Sequence, residues 1–116
     1  MSKNLSIILS TYNEELFIEE TIKEIIKIFP ECEIIIVDDS SVDETINIIK
    51  KLNIKNIKFF ERKNRGLASA FLLGIINSSK DIIGWIDSNQ GKLIIKYPEM
   101  LTQLNTNDIV ILSRYV

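Results

Sequence analysis

One segment constrains the fold of this chain more than any other. Residues 33–37 contain three consecutive isoleucines followed by Val37, and the acidic pair Asp38 and Asp39 comes directly afterwards. A β-branched run that is apolar on both faces is typical of a central strand in a parallel sheet. Parallel strands need long crossover connections, which are usually helices. The segment therefore predicts an α/β fold.

The rest of the 116-residue chain alternates in the same way. Further strands are predicted at residues 5–10, 57–60, 81–86 and 109–112. Helices are predicted at residues 14–29, from residue 41, from residue 66 and at residues 98–104. This order is typical of a mostly parallel sheet with right-handed crossovers and helices on both faces. We predict a single domain over residues 1–116.

Local signals predict where the helices begin and which faces they bury. Asn13 is predicted to cap the first helix, and residues 41–44 resemble a capping box for the second. Gly66 is predicted to open the third helix. The buried face of this third helix would carry Leu67, Ala70, Phe71, Gly74 and Ile75.

Composition excludes several classes of function. The 14 basic and 16 acidic residues are interspersed, so the sequence has no basic cluster of the kind that binds nucleic acid. Histidine is absent, which leaves carboxylates, hydroxyls, Lys, Arg or a hard cation for any catalysis. No apolar run reaches the roughly 20 residues of a transmembrane helix, and Cys32 has no disulfide partner in the chain. We expect a cytoplasmic protein, with a peripheral position at a membrane as an alternative.

Polar residues follow each of the first four predicted strands. Ligands of open α/β sheets bind at the carboxyl ends of the strands, where these loops meet. The alternative is purely structural: such loops are polar in most α/β proteins, and their acidic residues cap helices. Against it, Asp38, Asp39 and Asp87 are all expected at one edge, where carboxylates repel unless a cation or a hydrogen-bonding ligand compensates them.

Five stretches of the sequence, in order, resemble signatures of the family 2 glycosyltransferases, especially the polyprenyl-phosphate (dolichol-phosphate) mannosyltransferase-like branch. They are ILSTYNEE at residues 8–15, IIVDDSSVD at 35–43, NRGLASA at 64–70, IGWID at 83–87 and VILSRYV at 110–116. They span almost the whole chain. The resemblance implies a GT-A-type (Rossmann-like) fold that binds a GDP- or UDP-linked sugar.

The resemblance also implies roles for individual residues. Asp87 would be the catalytic residue and would hold Mg²⁺ or Mn²⁺ together with Asn89. Lys63, with Arg62, would offset the diphosphate charge, although both could equally be solvated surface residues. The residues expected to bind the nucleotide sugar are Thr11, Tyr12, Glu14, Asp38, Asp39, Lys63, Gly66 and Asp87.

The sequence departs from the family pattern in three places. Asn89 stands where the metal-binding motif has its second carboxylate, so metal affinity should fall. Residues 90–97 are longer and more apolar than the pattern, and residues 93–95 could form an extra strand, a membrane-facing patch or a frayed core segment. The acceptor-binding portion would follow the last signature, so we expect an N-terminal portion truncated relative to the family. The acceptor would be a lipid phosphate or a glycan.

Two alternatives stay open at this stage. The first is a nucleotide-binding fragment with impaired catalysis, which Asn89 and the expected truncation favour. The second is a response-regulator receiver domain, because residues 34–40 also resemble its acidic first strand and Asp87 could take the phosphoryl group. Against the receiver, a complete βα unit precedes the acidic strand.

Overall fold

A computed structural model of the protein describes residues 2–63 and 66–104. The described strands are β1 (Leu5–Thr11), β2 (Glu33–Asp38), β3 (Ile57–Glu61) and β4 (Ile82–Trp85). The α-helices are α1 (Ile18–Ile28), α2 (Thr45–Leu52), α3 (Leu67–Ile76) and α4 (Tyr97–Gln103), and short 3₁₀ helices cover Ser2–Asn4 and Gly91–Lys96. The strand predicted at residues 109–112 lies outside the described residues. No described helix is long and apolar enough to span a bilayer.

The four described strands form one parallel sheet in the order β3-β2-β1-β4. Thr11 at the end of β1 is in register with Asp38 at the end of β2, so the carboxyl ends of the central strands coincide. In a receiver domain, the acidic first strand lies between the two strands that follow it in sequence. Here the acidic strand β2 lies between β3 and β1, and this order excludes the receiver alternative.

Side chains of the central strands alternate between two apolar layers, as the twofold period of a strand requires. One layer, together with α1 and α2, contains Leu5, Ile7, Leu9, Ile34 and Ile36. The opposite layer, against α3, contains Ile8, Ile35, Val37 and Ala70. Both faces of the sheet are covered by helices, and the predicted layer arrangement is confirmed.

The predicted start of the first helix is wrong. Helix α1 begins at Ile18, and no side chain caps it. Asn13 instead has a left-handed backbone (φ 54°), and its side-chain Oδ1 accepts hydrogen bonds from the backbone N–H groups of Val42 and Asp43. The Asn13 side chain therefore joins two loops at the end of the sheet, a long-range role that its sequence position does not reveal.

The predicted capping box of the second helix is also wrong. Helix α2 begins at Thr45, and Asp43 Oδ1 accepts hydrogen bonds from both the backbone N–H (2.9 Å) and the hydroxyl (2.5 Å) of Thr45. The Ser41 hydroxyl donates to Asp38 instead of a helix N–H group. Ser41 therefore belongs to the loop after β2.

Helix α3 follows Gly66 as predicted, but only part of its expected buried face is buried. Ala70 and Gly74 are buried, whereas Leu67 is 62% exposed and Ile75 is 36% exposed. The helix is apolar on nearly all sides, so periodicity alone does not identify the face that packs.

Residues 93–95 belong to the 3₁₀ helix Gly91–Lys96 and form no extra strand. Ile94 is fully buried in the core beside α1, while Leu93 and Ile95 on either side of it are 39% and 65% exposed. The segment is therefore anchored in the core by one residue and presents its other two to solvent.

Candidate functional site

The candidate site is the edge of the sheet where β1, β2 and β4 end; we call it the carboxyl rim. Strand β1 delivers Thr11 to this rim, β2 delivers Asp38 and Asp39, and the segment after β4 delivers Asp87. A hydrogen bond from the Asp39 N–H to the Thr11 carbonyl (3.0 Å) extends the pairing of β1 and β2 beyond the last strand residue. The structure thus brings together residues that the sequence places up to 76 positions apart.

Asp38 is a buried brace at the centre of the rim. Its side chain is fully buried and accepts hydrogen bonds from the Thr11 hydroxyl (2.6 Å), the Ser41 N–H (2.8 Å) and the Ser41 hydroxyl (2.6 Å). Thr11 is itself only 2% exposed. Both side chains are buried and hydrogen-bonded within the protein, so their geometry fits a role in shaping the rim.

Asp39 is held by Arg62 through a forked ion pair. Arg62 Nε donates to Asp39 Oδ1, and Arg62 Nη2 donates to Oδ2 at 3.2 Å. The same guanidinium donates to the Gly66 carbonyl (2.6 Å) and to the Ser69 hydroxyl (2.8 Å), so it ties the loop after β2 to the start of α3. A carboxylate in a forked pair keeps lone pairs for another donor.

Gly66 shapes the start of α3 through its backbone. Its φ of +143° lies in a region that side-chain-bearing residues rarely adopt, so a glycine is required there. Its carbonyl also accepts the N–H of Ala70, which begins the helix. The Gly66 carbonyl accepts a hydrogen bond from Arg62 and so helps to hold the guanidinium that pairs with Asp39.

Glu14 lies in an acidic part of the rim. Burial raises the pKa of Glu14; a hydrogen bond from the Ser88 hydroxyl acts in the opposite direction, while the negative charges of Asp43 and Asp87 raise it further. The negative charges of both aspartates therefore act on the Glu14 carboxylate. A cation or a hydrogen-bond donor entering this region would relieve the repulsion.

Asp43 is tied into the loop that faces Glu14. Burial alone would raise its pKa, but hydrogen bonds from the Thr45 hydroxyl, the Thr45 N–H and the Glu15 N–H together lower it. Thr45 also accepts the N–H of Glu14 at 2.8 Å, which connects the start of α2 to the loop after β1. Asp43 therefore holds the start of α2 through its hydrogen bonds with Thr45.

Asp87 and Asn89 are the predicted metal ligands, and both side chains are exposed on the segment after β4. Within residues 2–63 and 66–104, no group of three or more His, Cys, Asp or Glu side chains could hold a metal ion. Mg²⁺ at phosphate-transfer sites is usually bound by one or two protein carboxylates and the substrate's own phosphates. One carboxylate and one amide oxygen fit that kind of shared site.

The remaining predicted residues lie at the margins of the rim. Tyr12, directly after β1, is 37% exposed, and Lys63 is exposed beside Arg62. Arg62 is engaged with Asp39, which leaves Lys63 as the exposed cation of this pair. The sequence did not indicate the parts of Ser41, Thr45, Arg62 and Ser88, since each acts through a partner distant in sequence.

Known proteins resemble this chain over most of its length. An uncharacterized glycosyltransferase of Mycoplasma genitalium is 31% identical over 112 residues, which cover 90% of this chain and 32% of that protein. The poly-beta-1,6-N-acetyl-D-glucosamine synthase of Staphylococcus aureus is 32% identical over 90 residues, which cover 75% of this chain and 22% of the synthase. The chain thus spans a third or less of either relative.

A solved structure supports the fold. Glucosyl-3-phosphoglycerate synthase from Mycobacterium tuberculosis, in complex with Mn²⁺, UDP and phosphoglyceric acid, superposes with a TM-score of 0.70 at 25% identity. The match covers 91% of this chain and 40% of that one. The predicted GT-A-type fold is confirmed. The model of the family described as "Glycosyl transferase family 2" matches residues 6–116, and the chain therefore belongs to glycosyl transferase family 2.

Proposed function

We propose that this chain binds a nucleoside diphosphate sugar, UDP- or GDP-linked, at the carboxyl rim and serves inverting transfer of the sugar. The observation that carries this proposal is the convergence of Asp39 and Asp87 on either side of the end of β1. Asp39 is fixed by Arg62 yet keeps lone pairs for the base or ribose. Asp87 is exposed and can face the diphosphate.

The residues of the rim would divide the work of binding. Asp39 accepts hydrogen bonds from the nucleoside, while Thr11 and Asp38 hold the strand ends that carry it. Tyr12, Glu14 and Gly66 border the nucleotide. Asp87 and Asn89 hold a divalent cation, and Lys63 adds positive charge beside the diphosphate.

In the transfer step, an acceptor oxygen bonds to the anomeric carbon from the face opposite the diphosphate. The bond from that carbon to the diphosphate oxygen breaks, and the nucleoside diphosphate leaves with the electron pair. An acceptor hydroxyl passes its proton to a base in solution or on another segment. Mg²⁺ or Mn²⁺, when bound, supplies positive charge that stabilises the leaving diphosphate.

The finer parts of the proposal come from the resemblance. The polyprenyl-phosphate branch implies a lipid-phosphate acceptor and a cytoplasmic position at the membrane surface, and a glycan acceptor is the alternative. The UDP and Mn²⁺ held by the mycobacterial synthase support the nucleotide and the ion. A second candidate, a nucleotide-binding fragment with impaired catalysis, is favoured by the amide Asn89 beside Asp87.

Calorimetric titration with UDP and GDP, with and without MnCl₂, tests the proposal. We expect Mn²⁺ to strengthen binding of one nucleotide at least about tenfold, which corresponds to about 1.4 kcal/mol. Asp87→Ala should remove this enhancement. Asp81→Ala is the matched control, because Asp81 is exposed at the opposite end of β4 and should leave the enhancement intact.

Two results would change the proposal in different ways. If the folded chain bound neither nucleotide, nucleotide-sugar binding itself would be refuted. If binding were indifferent both to Mn²⁺ and to Asp87→Ala, the nucleotide-binding fragment would replace the metal-assisted transferase.

A further inference from the structure

A cleft of about 340 Å³ lies beside the carboxyl rim, between the start of α1 and the 3₁₀ helix Gly91–Lys96. Its walls include Phe17, Glu20, Asn89, Gln90, Lys92 and Leu93. None of these residues except Asn89 has a part in the nucleotide site described above. The cleft shares the segment after β4 with that site, because Asn89 lies two positions after Asp87.

The cleft is held in shape by close contact between two backbones. The Thr21 hydroxyl on α1 donates to the Ser88 carbonyl, and both residues are buried. A Cβ atom on Gly91 would lie 2.5 Å from Thr21 Cα, so only glycine permits this approach. Fully buried Ile94 anchors the next turn in the core. The walls are therefore fixed before any ligand arrives.

The lining combines an apolar wall with polar groups. Phe17 and Leu93 form the apolar wall and are 44% and 39% exposed. The amide of Gln90 can donate and accept hydrogen bonds, and the amide nitrogen of Asn89 can donate while its oxygen holds the cation of the proposed nucleotide site. Pyranose rings present an apolar C–H face and a rim of hydroxyls, and binding pockets commonly pair apolar walls with a few placed polar groups. The volume suits one or two sugar rings.

The charged residues that line the cleft balance one another and do not attract an anionic ligand. Lys92 Nζ lies 3.8 Å from Glu20 Oε1, so the one cation of the described lining is balanced by a carboxylate. A lipid phosphate would meet no net positive charge here, whereas the hydroxyls of a neutral sugar need only hydrogen-bonding partners.

We propose that this cleft binds the uncharged end of a saccharide, which under the function proposed above is the acceptor. The inference selects a glycan over a lipid phosphate and assigns Phe17 and Leu93 as the apolar platform. The acceptor role rests on the proposed function, because only nucleotide-sugar binding at the rim would make a saccharide in this cleft an acceptor. The binding itself can be measured without a donor.

The test follows backbone amide NMR shifts of the 116-residue chain during titration with cellobiose and N,N′-diacetylchitobiose, and separately with decyl phosphate. We expect at least one disaccharide to shift amides of residues 17–21 and 89–93 saturably, with a dissociation constant on the order of 1 mM. Phe17→Ala and Leu93→Ala should each weaken this binding about fivefold. Ile95→Ala is the matched control, because Ile95 is exposed on the same 3₁₀ helix but does not line the cleft.

Titration of UDP and GDP in the same samples separates the two proposals. Nucleotide binding without saccharide shifts in the cleft overturns the saccharide site and leaves the proposed function standing. Saccharide binding without nucleotide binding supports the site and refutes the transferase. Shifts caused by decyl phosphate alone, or equal affinity in wild type, Phe17→Ala and Leu93→Ala, overturn the proposal. Two platform variants are used so that misfolding of one does not decide the result.

Discussion

Glu33 at the amino end of the sheet and Glu14 at the carboxyl rim have pKa values that are shifted in opposite directions. At the amino end, Glu33 accepts hydrogen bonds from the Ser6 hydroxyl (2.8 Å) and from the N–H (3.0 Å) and hydroxyl (2.8 Å) of Ser79, and it pairs with Lys58 at 2.9 Å. Burial acts to raise the pKa of Glu33, but these donors lower it to about 2. At the carboxyl rim, the pKa of Glu14 is raised.

The difference shows how a fold can separate stability from ligand binding. We call Glu33 a closed carboxylate, because the protein itself supplies its hydrogen-bond donors and a cation; a carboxylate without such partners is called open. The carboxyl rim has a closed member in Asp38 and open members in Glu14 and Asp87, neither of which forms an ion pair with another described residue. Closed carboxylates stabilise the fold, while open ones repel and are ready for a ligand.

Replacing Asp38 should have the largest effect. Asp38→Ala leaves the Thr11 hydroxyl and both donors of Ser41 without their buried acceptor, so we expect a loss of about 3 kcal/mol in unfolding free energy. Urea denaturation followed by circular dichroism measures it. Asp87→Ala makes the same change at an exposed position of the same rim and should stay within about 0.5 kcal/mol. Equal losses would contradict the division into closed and open carboxylates.

Glu33 should show a smaller effect that depends on pH. Glu33→Gln should cost about 2 kcal/mol near pH 7, because a neutral amide replaces the charge that Lys58 and the serines stabilise. The folded pKa is about 2, below the ordinary 4.5, so this stability is present above pH 4.5 and is lost as the pH falls toward 2. Unfolding curves at several pH values measure the difference between variant and wild type. It should shrink on acidification.

The control for this comparison is Glu31→Gln. Glu31 is two positions away, and its side chain is 54% exposed in a loose 3.8 Å pair with Lys3. Exposed pairs of this kind contribute little, so we expect a change within about 0.5 kcal/mol. A gap between Glu33→Gln and wild type that is constant from pH 7 to pH 2 would show that shape, rather than charge, accounts for the loss.

The sequence predicted the layers of the fold better than the connections between its loops. The isoleucine run of β2 indicated a central parallel strand, because burial on both faces is visible in a single short segment. The polar residues after the strands indicated the rim for a similar reason, since parallel topology brings strand ends together. Properties of one segment, or of topology, can be inferred from the chain.

Side-chain partners distant in sequence could not be inferred. Asparagine commonly caps helices, yet the side-chain oxygen of Asn13 accepts hydrogen bonds from N–H groups about 30 positions away. From the sequence, Arg62 and Lys63 had the same two possible roles, either at the diphosphate or on the solvated surface. The fold instead pairs Arg62 with Asp39, 23 positions earlier. The predicted burial of Leu67 was wrong for another reason. Helix α3 is almost wholly apolar, so its sequence has no pattern that distinguishes the packed face. In each case the outcome depends on which surfaces the fold brings together.

Glu14 should give the smallest effect, with the opposite sign to Glu33. Its raised pKa means that the folded state disfavours the ionised carboxylate, chiefly through burial and also through Asp43 and Asp87. Glu14→Gln removes this penalty and should stabilise the unliganded chain at pH 7 by about 0.5 kcal/mol. The gain is present above the folded pKa and disappears as the pH falls below the ordinary 4.5, where the carboxyl is protonated in both states.

NMR titration of the Glu14 carboxyl carbon measures the pKa of Glu14 in the folded state. Denaturation of Glu14→Gln measures the change in unfolding free energy. Glu61→Gln serves as the control, because Glu61 is an exposed glutamate at the carboxyl end of β3, next to the carboxyl rim. If Glu14→Gln destabilised the chain as Glu33→Gln does, Glu14 would be a closed carboxylate. The carboxyl rim would then hold one open acid fewer for a cation or a ligand. The variant could instead be more stable but bind nucleotide with Mn²⁺ less tightly. In that case the ionised Glu14 carboxylate destabilises the unliganded chain and contributes to ligand binding.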